Sequence, residues 1–157
     1  MAGTGDRGWW RQLFPLHCTL CRERGAPLCS LCALRLRPPP APGPGDVDHL
    51  DGVAALFAYS GAGRTAITRL KFDNHRDALD TWAHLMVGAI DVRADVVTWV
   101  PTSAGRRRQR GVDQAELLAR SVGRSCRAPV KRTLRRTSSG DQIGRDRLAR
   151  RTLRFEP

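Results

Sequence analysis

The 157-residue sequence has no apolar segment long enough to cross a membrane as a helix. Its longest apolar stretch, from Trp82 to Ile90, is interrupted by His84, whereas a membrane-spanning helix needs about 20 apolar residues. The N-terminal patch from Trp9 to Phe14 lacks both the apolar core and the small-residue cleavage site of a secretory signal. We therefore expect a cytoplasmic protein.

Lysine is almost absent, and acidic residues are scarce in the C-terminal third. Residues 1–100 hold 11 basic and 10 acidic side chains, whereas residues 101–157 hold 16 basic and 5 acidic ones. The formal net charge of +12 therefore belongs almost entirely to residues 101–157, and nearly all of it is arginine. Because a guanidinium group matches the geometry of phosphate, this bias favours a polyanionic partner. The alternative is an arginine-biased surface that is simply solvated.

The cysteines, by contrast, are concentrated in one short segment. Four of the five follow the order Cys18-x2-Cys21-x7-Cys29-x2-Cys32, and Cys126 lies far away as an expected unligated thiol. Each CxxC pair puts two sulfurs on one tight turn, and the spacer lets the second turn fold back on the first. This pattern predicts a structural zinc site. One alternative is two disulfides, which need an oxidising compartment. The other is a redox-active CxxC, which would be a single pair beside a strand–helix unit.

A proline- and glycine-rich segment divides the sequence. Residues 37–45 read RPPPAPGPG, a composition typical of a semi-rigid spacer rather than of a helix or strand. We therefore predict an N-terminal lead at 1–14, a zinc-binding segment at 15–36, a linker at 37–51 and a larger domain at 52–157.

Apolar periodicity in residues 52–157 predicts alternating strands and helices. Strands are expected at 53–59 and 96–100, with a short third strand at 130–134. Helices are expected at 64–71, 77–90, 113–122, where Asp113 is a possible N-cap, and 144–153. This order predicts an α/β domain around a parallel sheet. Because the sheet would be small, we expect a protein partner or a homo-oligomer to complete it, or a missing C-terminal half.

Several blocks, in one order, resemble the ComF/GntX family of phosphoribosyltransferase-like proteins. The first block is Leu13-Phe14-Pro15 leading into the two CxxC pairs, which looks like that family's zinc segment. The other blocks are 59–72, Val100-Pro101 with 106–119, and 134–137 with Gln142 and 147–150. The resemblance covers roughly residues 13–150. It implies a partial type I phosphoribosyltransferase-like parallel sheet with flanking helices, preceded by a small four-cysteine zinc knuckle, and a link to DNA uptake in competence.

The family's phosphoribosyl-pyrophosphate loop has no counterpart in the sequence, so we expect a C-terminally truncated member. The chemistry agrees, because holding a ribose 5-phosphate needs adjacent carboxylates and small residues whose N–H groups meet the phosphate. No two acidic residues are adjacent, and the only Gly-Thr-Gly lies at residues 3–5. The resemblance leaves open whether the chain is an enzyme. We expect it to be inactive as a transferase and to have no catalytic residue. Mg²⁺ and phosphoribosyl pyrophosphate would bind only if the site were complete.

The resemblance also implies a place for pyrophosphate, in the turn after the second strand. The matching positions are Val100, Pro101, Thr102 and Ser103, and the basic run Arg106, Arg107, Arg108 and Arg110 could cradle a polyphosphate. The alternative for the basic run is an exposed loop of solvated charges. Lys71 orients a phosphate in one interpretation and stabilises a helix C-terminus in the other.

The two functions that follow are of different classes. The first is a ComF-like protein with structural zinc and no transferase activity. The second is a nucleic-acid-binding accessory protein that contacts single-stranded DNA or another polyanion through residues 101–157. Aromatic residues, on which bases would stack, are few there, since Phe155 is the only one.

Overall fold

The computed structural model describes residues 15–41, 50–72, 78–90, 93–137 and 155–156. The chain divides into two compact units, Met1–Thr81 and Trp82–Pro157. Within the described ranges the helices are α1 (Ser30–Ala33), α2 (Gly61–Phe72), α3 (Leu79–Gly88), α4 (Ala104–Arg110) and α5 (Gln114–Cys126). Two short strands, β1 (Arg135–Arg136) and β2 (Phe155–Glu156), form an antiparallel sheet. The domain bounds taken from the proline-rich segment stay a prediction.

In the first unit, the cysteine segment folds as two tight turns followed by α1. An antiparallel bridge joins His17 to Arg24, and the N–H of Cys18 donates to the carbonyl of Glu23 at 2.8 Å. Arg22 closes the first turn in the left-handed region at φ 67°, and Gly25 follows at φ 127°. Glycine adopts such a φ without steric cost, which allows the chain to reverse between the two CxxC pairs.

The expected strand at 53–59 is wrong, because its backbone forms a different set of hydrogen bonds. The N–H of Ala58 donates to the carbonyl of Arg37 at 3.0 Å, and the carbonyl of Ala58 accepts the N–H of Ser60. Gly63 in α2 lies so close that a Cβ there would overlap the Ala58 carbonyl and come within 2.7 Å of the Phe57 ring. The segment is therefore a turn that carries the start of α2, which begins three residues earlier than predicted.

In the second unit, the expected strands at 96–100 and 130–134 are reduced to one isolated parallel bridge, Val97 to Val130. The N–H of Val97 donates to Pro129 at 2.9 Å, and the N–H of Lys131 donates back to Val97 at 3.0 Å. Because Pro129 has no N–H, the ladder cannot extend from Val97 toward residue 95. Further along, the Thr133 N–H faces the Thr98 hydroxyl at 3.4 Å rather than a backbone carbonyl.

The fold is thus a set of helices with a very small antiparallel sheet and a four-cysteine cluster. A partial parallel sheet of the expected kind is not formed by the described residues, since their two named strands run antiparallel, with Arg135 opposite Glu156 and Arg136 opposite Phe155. The helix expected at 77–90 is present as α3, and the helix expected at 113–122 is present as the longer α5. The helix expected at 144–153 lies outside the described residues.

Helix α5 has the N-cap that the sequence indicates. The carboxylate of Asp113 accepts the N–H of Ala115 at 3.1 Å, and its second oxygen accepts the N–H of Thr102 at 2.9 Å. Gly123 faces residues 128–130, where a Cβ would overlap a Val130 methyl and come within 2.9 Å of the Ala128 carbonyl. Only a glycine permits this close approach, so α5 and the segment that follows it pack with their backbones near each other.

Candidate metal centre and arginine-lined cleft

The four cysteines of the two CxxC pairs converge on one point in the first unit. Their Sγ atoms all lie within 4.8 Å of one another. The Sγ atoms of Cys21 and Cys29 are 3.8 Å apart. A tetrahedral zinc ion with Zn–S bonds of about 2.3 Å would place its sulfurs about 3.8 Å apart, whereas a disulfide has sulfurs at about 2 Å. The donor set and its spacing therefore fit a tetrahedral thiolate-bound metal ion.

The local fold explains why the sulfurs point inward. Cys18 and Cys32 are buried, Cys29 is half-buried and Cys21 lies on the outer side of the cluster. The backbone N–H groups of Leu20 and Cys29 both point at the Cys18 sulfur, at 3.5 Å. Such N–H donors are the usual partners of a metal-bound thiolate and fix its orientation.

The electrostatics of the cluster call for a cation. Burial opposes ionisation of Cys18, but the backbone N–H groups of Cys21, Cys29 and Leu20 outweigh it and lower the pKa of that thiol to about 6. Burial, the neighbouring thiols and the negative charge on Cys18 together raise the pKa of Cys32 to about 12. One thiolate is thus favoured and a second is opposed, and a bound cation is what would hold all four in the ionised form.

A cleft of about 760 Å³ lies in the second unit, at the start of α4 and α5. Its lining combines a turn, one aromatic ring, two acids and five arginines: Trp99, Pro101, Thr102, Ser103, Ala104, Gly105, Arg106, Arg107, Arg108, Gln109, Asp113, Glu116, Arg132, Arg136 and Thr137. The turn is fixed from two sides. Ser103 caps α4 through its side chain, which accepts the N–H of Arg106, and Asp113 holds the N–H of Thr102.

The charge of the cleft is strongly positive. Among the described residues that line it, five are arginines and two, Asp113 and Glu116, are acids. Asp113 is buried and accepts two backbone N–H groups, and Glu116 forms an ion pair with Arg120 at 2.8 Å. Both acids are thus engaged within α5 and its cap.

The predicted phosphate-binding residues are mostly brought together here. Pro101, Thr102 and Ser103 line the cleft with the arginines at 106, 107 and 108. Val100 does not line it and is 58% exposed. The side chain of Arg110 lies outside the described residues, and Lys71 lies in the last turn of α2 in the other unit. The basic run is a helix with a capped start, which contradicts the loop of the alternative interpretation.

Sequence reasoning missed Trp99, Arg132 and Arg136 as members of this cleft. A signal for Arg132 was present, because it lies two residues after Val130 in the segment 130–134, which is predicted as a strand, and a strand places alternate residues on one face. Arg136 lies beyond that segment. No comparable signal identified Trp99, which reads as part of an apolar run.

Comparison with known proteins returned no match, whether to a family model, to a curated protein or to a solved structure. Within the part of the chain that the structure describes, none of the helices has the length and apolar character needed to span a membrane.

Proposed function

We propose that the chain is a zinc-binding protein of the ComF-like, phosphoribosyltransferase-related type, which binds phosphate groups without transferring a ribosyl phosphate. The first part rests on the convergence of the four sulfurs, which all lie within 4.8 Å of one another, with those of Cys21 and Cys29 at 3.8 Å. Four cysteine ligands leave no open coordination position, so the metal would be structural rather than catalytic. Zinc is the metal that best fits an all-thiolate tetrahedral site.

The cleft of the second unit supports the phosphate-binding part. Three of the four residues in the turn that the resemblance assigns to pyrophosphate, 101–103 of 100–103, line one cleft with five arginines. Bidentate guanidinium contacts to phosphate are strong and directional. The arginines that would make them belong to two separate segments, α4 and residues 132–136. Transfer is excluded from the proposal because no two carboxylates are adjacent within the 157 residues.

Metal analysis of the purified protein tests the zinc assignment. We expect one zinc per chain, and cobalt substitution should give the absorption bands of a tetrahedral thiolate site. A chain that folds with less than 0.1 zinc per molecule (roughly an order of magnitude below the ~1:1 ratio of a structural site), and that binds no added zinc or cobalt, would contradict it.

Calorimetric titration with inorganic pyrophosphate tests the cleft. The informative variant is the double substitution Arg107→Gln/Arg108→Gln, and the matched control is Arg93→Gln/Lys131→Gln, which removes the same charge from exposed positions of the same unit outside the cleft. We expect the first variant to weaken binding by about 10- to 100-fold and the control by less than about 3-fold. Equal effects would show that only net charge matters, and no binding by the unaltered protein would refute the cleft assignment.

One observation favours the second candidate, nucleic-acid binding. Trp99 is half-buried and lies in the cleft beside the arginines, which combines a stacking surface with phosphate-binding groups. Salt-dependent binding of single-stranded DNA measures this directly. Loss of Arg107 and Arg108 should reduce the slope of log affinity against log salt by about 1.4 if both contact phosphates, and Trp99→Ala should weaken binding without changing the slope.

A further inference from the structure

One arginine connects helix α2 to the cysteine cluster. The Arg69 guanidinium donates from a single nitrogen to the carbonyl of Thr19, at 3.0 Å, and to the carbonyl of Leu20. Thr19 and Leu20 are the two residues between Cys18 and Cys21. Arg69, which lies 49 positions along the chain from Leu20, therefore holds the two residues inside the first CxxC turn by hydrogen bonds to their carbonyls.

The gripped peptide groups are the same ones that face the metal-binding sulfur. The peptide unit whose carbonyl belongs to Thr19 carries the N–H of Leu20, and that N–H points at the Cys18 sulfur at 3.5 Å. A cation on the carbonyl side polarises the peptide and strengthens the bond made by its N–H, because hydrogen bonds in a chain reinforce one another. Arg69 thus acts on the ligand through one intervening peptide.

The surroundings make this grip rigid. Thr19 is fully buried, and both its N–H and its hydroxyl donate to the Pro27 carbonyl at 2.9 Å. Arg69 is itself half-buried. A tetrathiolate zinc site carries a formal charge of −2, so a guanidinium held beside the turn also offsets part of that charge.

We propose that Arg69 is an outer positioning residue of the metal site, which holds the Cys18–Cys21 turn in its metal-binding geometry and ties the site to α2. This inference rests on the proposed metal binding. It makes metal affinity depend on a side chain that is not a ligand and lies outside the cysteine segment.

The test is zinc affinity, measured by competition with a chromophoric chelator. Arg69→Gln should weaken zinc binding by about 10- to 100-fold, the range typical of outer partners of metal ligands. The control Arg64→Gln removes the same charge from an exposed position of the same helix and should change affinity by less than about 2-fold. Arg69→Lys keeps the charge but not the planar fork, and should give an intermediate loss.

Two further readouts separate the possible results. At saturating cobalt the thiolate bands of Arg69→Gln should match those of the unaltered protein, since all four ligands remain. Amide exchange in α2 should become faster in Arg69→Gln, because the grip on that helix is lost. Equal affinities for the Arg69 and Arg64 variants would overturn the Arg69 proposal alone, whereas absence of metal binding by the unaltered protein would overturn both proposals. If Arg69→Gln does not fold, the Arg69→Lys affinity decides.

Discussion

Replacing Gly123 with alanine should destabilise the second unit, although alanine is the better helix former. In an open helix the change would stabilise by about 1 kcal/mol. At this position a Cβ would overlap a Val130 methyl and come within 2.9 Å of the Ala128 carbonyl. Neither group moves away easily, because the Ala128 N–H donates to the Gly123 carbonyl at 3.0 Å and Val130 takes part in the bridge to Val97.

The expected size follows from these two opposing effects. Forcing an extra carbon into a packed contact typically costs about 1–3 kcal/mol, and the fixed backbone atom here argues for the upper end. After subtraction of the propensity gain, we expect a net loss of about 2 kcal/mol in the free energy of unfolding. For a chain of this size that corresponds to a fall in Tm of about 4–8 °C.

Thermal unfolding followed by circular dichroism measures the effect, with Gly105→Ala as the matched control. Gly105 lies in α4, and a Cβ there would meet nothing within 4 Å. The control should therefore raise the free energy of unfolding by about 0.5–1 kcal/mol. If Gly123→Ala were as stable as Gly105→Ala, α5 would not pack against 128–130 as described, and the placement of Arg132 and Arg136 beside the cleft would lose its basis.

Three other predictions follow from the two sites. Cys32→Ser should reduce bound zinc at least 10-fold, by the order of magnitude expected for loss of a ligand, whereas Cys126→Ser should leave one zinc per chain by metal analysis. Because the pKa values of Cys21 and Cys32 are raised, both thiols are protonated at pH 7.5 without metal, and metal binding should release at least two protons. Calorimetry in buffers of different ionisation enthalpy counts these protons. Release of fewer than two would contradict the zinc assignment. Asp113→Ala removes two backbone hydrogen bonds and should cost about 2–3 kcal/mol in denaturant unfolding, against less than about 1 kcal/mol for Glu116→Ala.

The features that the sequence predicts correctly depend on short-range patterns. The spacing of the cysteines brings their sulfurs together over a short stretch of chain. The Cys18 sulfur, for example, accepts the N–H of Cys29, which is only eleven residues away. Helix α5 was predicted with its Asp113 cap, because a cap and an apolar face both lie within one helical stretch. Its end was set too early, since residues 123–126 continue the helix to Arg127 in the left-handed region at φ 58°.

The strands could not be predicted in the same way. The β-branched run at 96–100 is the kind of segment that forms a buried strand, but its partner begins at Pro129, which has no N–H to donate. Pairing therefore cannot continue before Pro129. After Lys131 the Thr133 N–H faces the Thr98 hydroxyl instead of a backbone carbonyl, and the Thr98 and Thr133 hydroxyls bond to each other at 2.8 Å. Strand content depends on what the partner segment can donate, and that is a property of tertiary structure.

The basic run 106–110 is a case in which the sequence itself could have excluded one of two interpretations. Its charge density suggested a solvated loop, but arginine is a good helix former, and the run has a Ser103 cap before it and Gly111 in the left-handed region after it. Both end signals are visible in the sequence. They contradict the loop of the alternative interpretation, because in the structure the local capping decides the backbone conformation.

Asp113 connects this helix to the chemistry of the cleft. One of its oxygens caps α5 and the other holds the Thr102 N–H, so a single buried carboxylate sets the start of α5 and the shape of the 101–103 turn. The same negative charge lies beside five arginines and lowers the positive potential that a phosphate would meet. Because this buried carboxylate lowers the positive potential while it fixes the turn, its contribution to the cleft is shape rather than charge. A turn held in one shape is what recognition of a particular phosphate geometry, rather than attraction of any anion, requires.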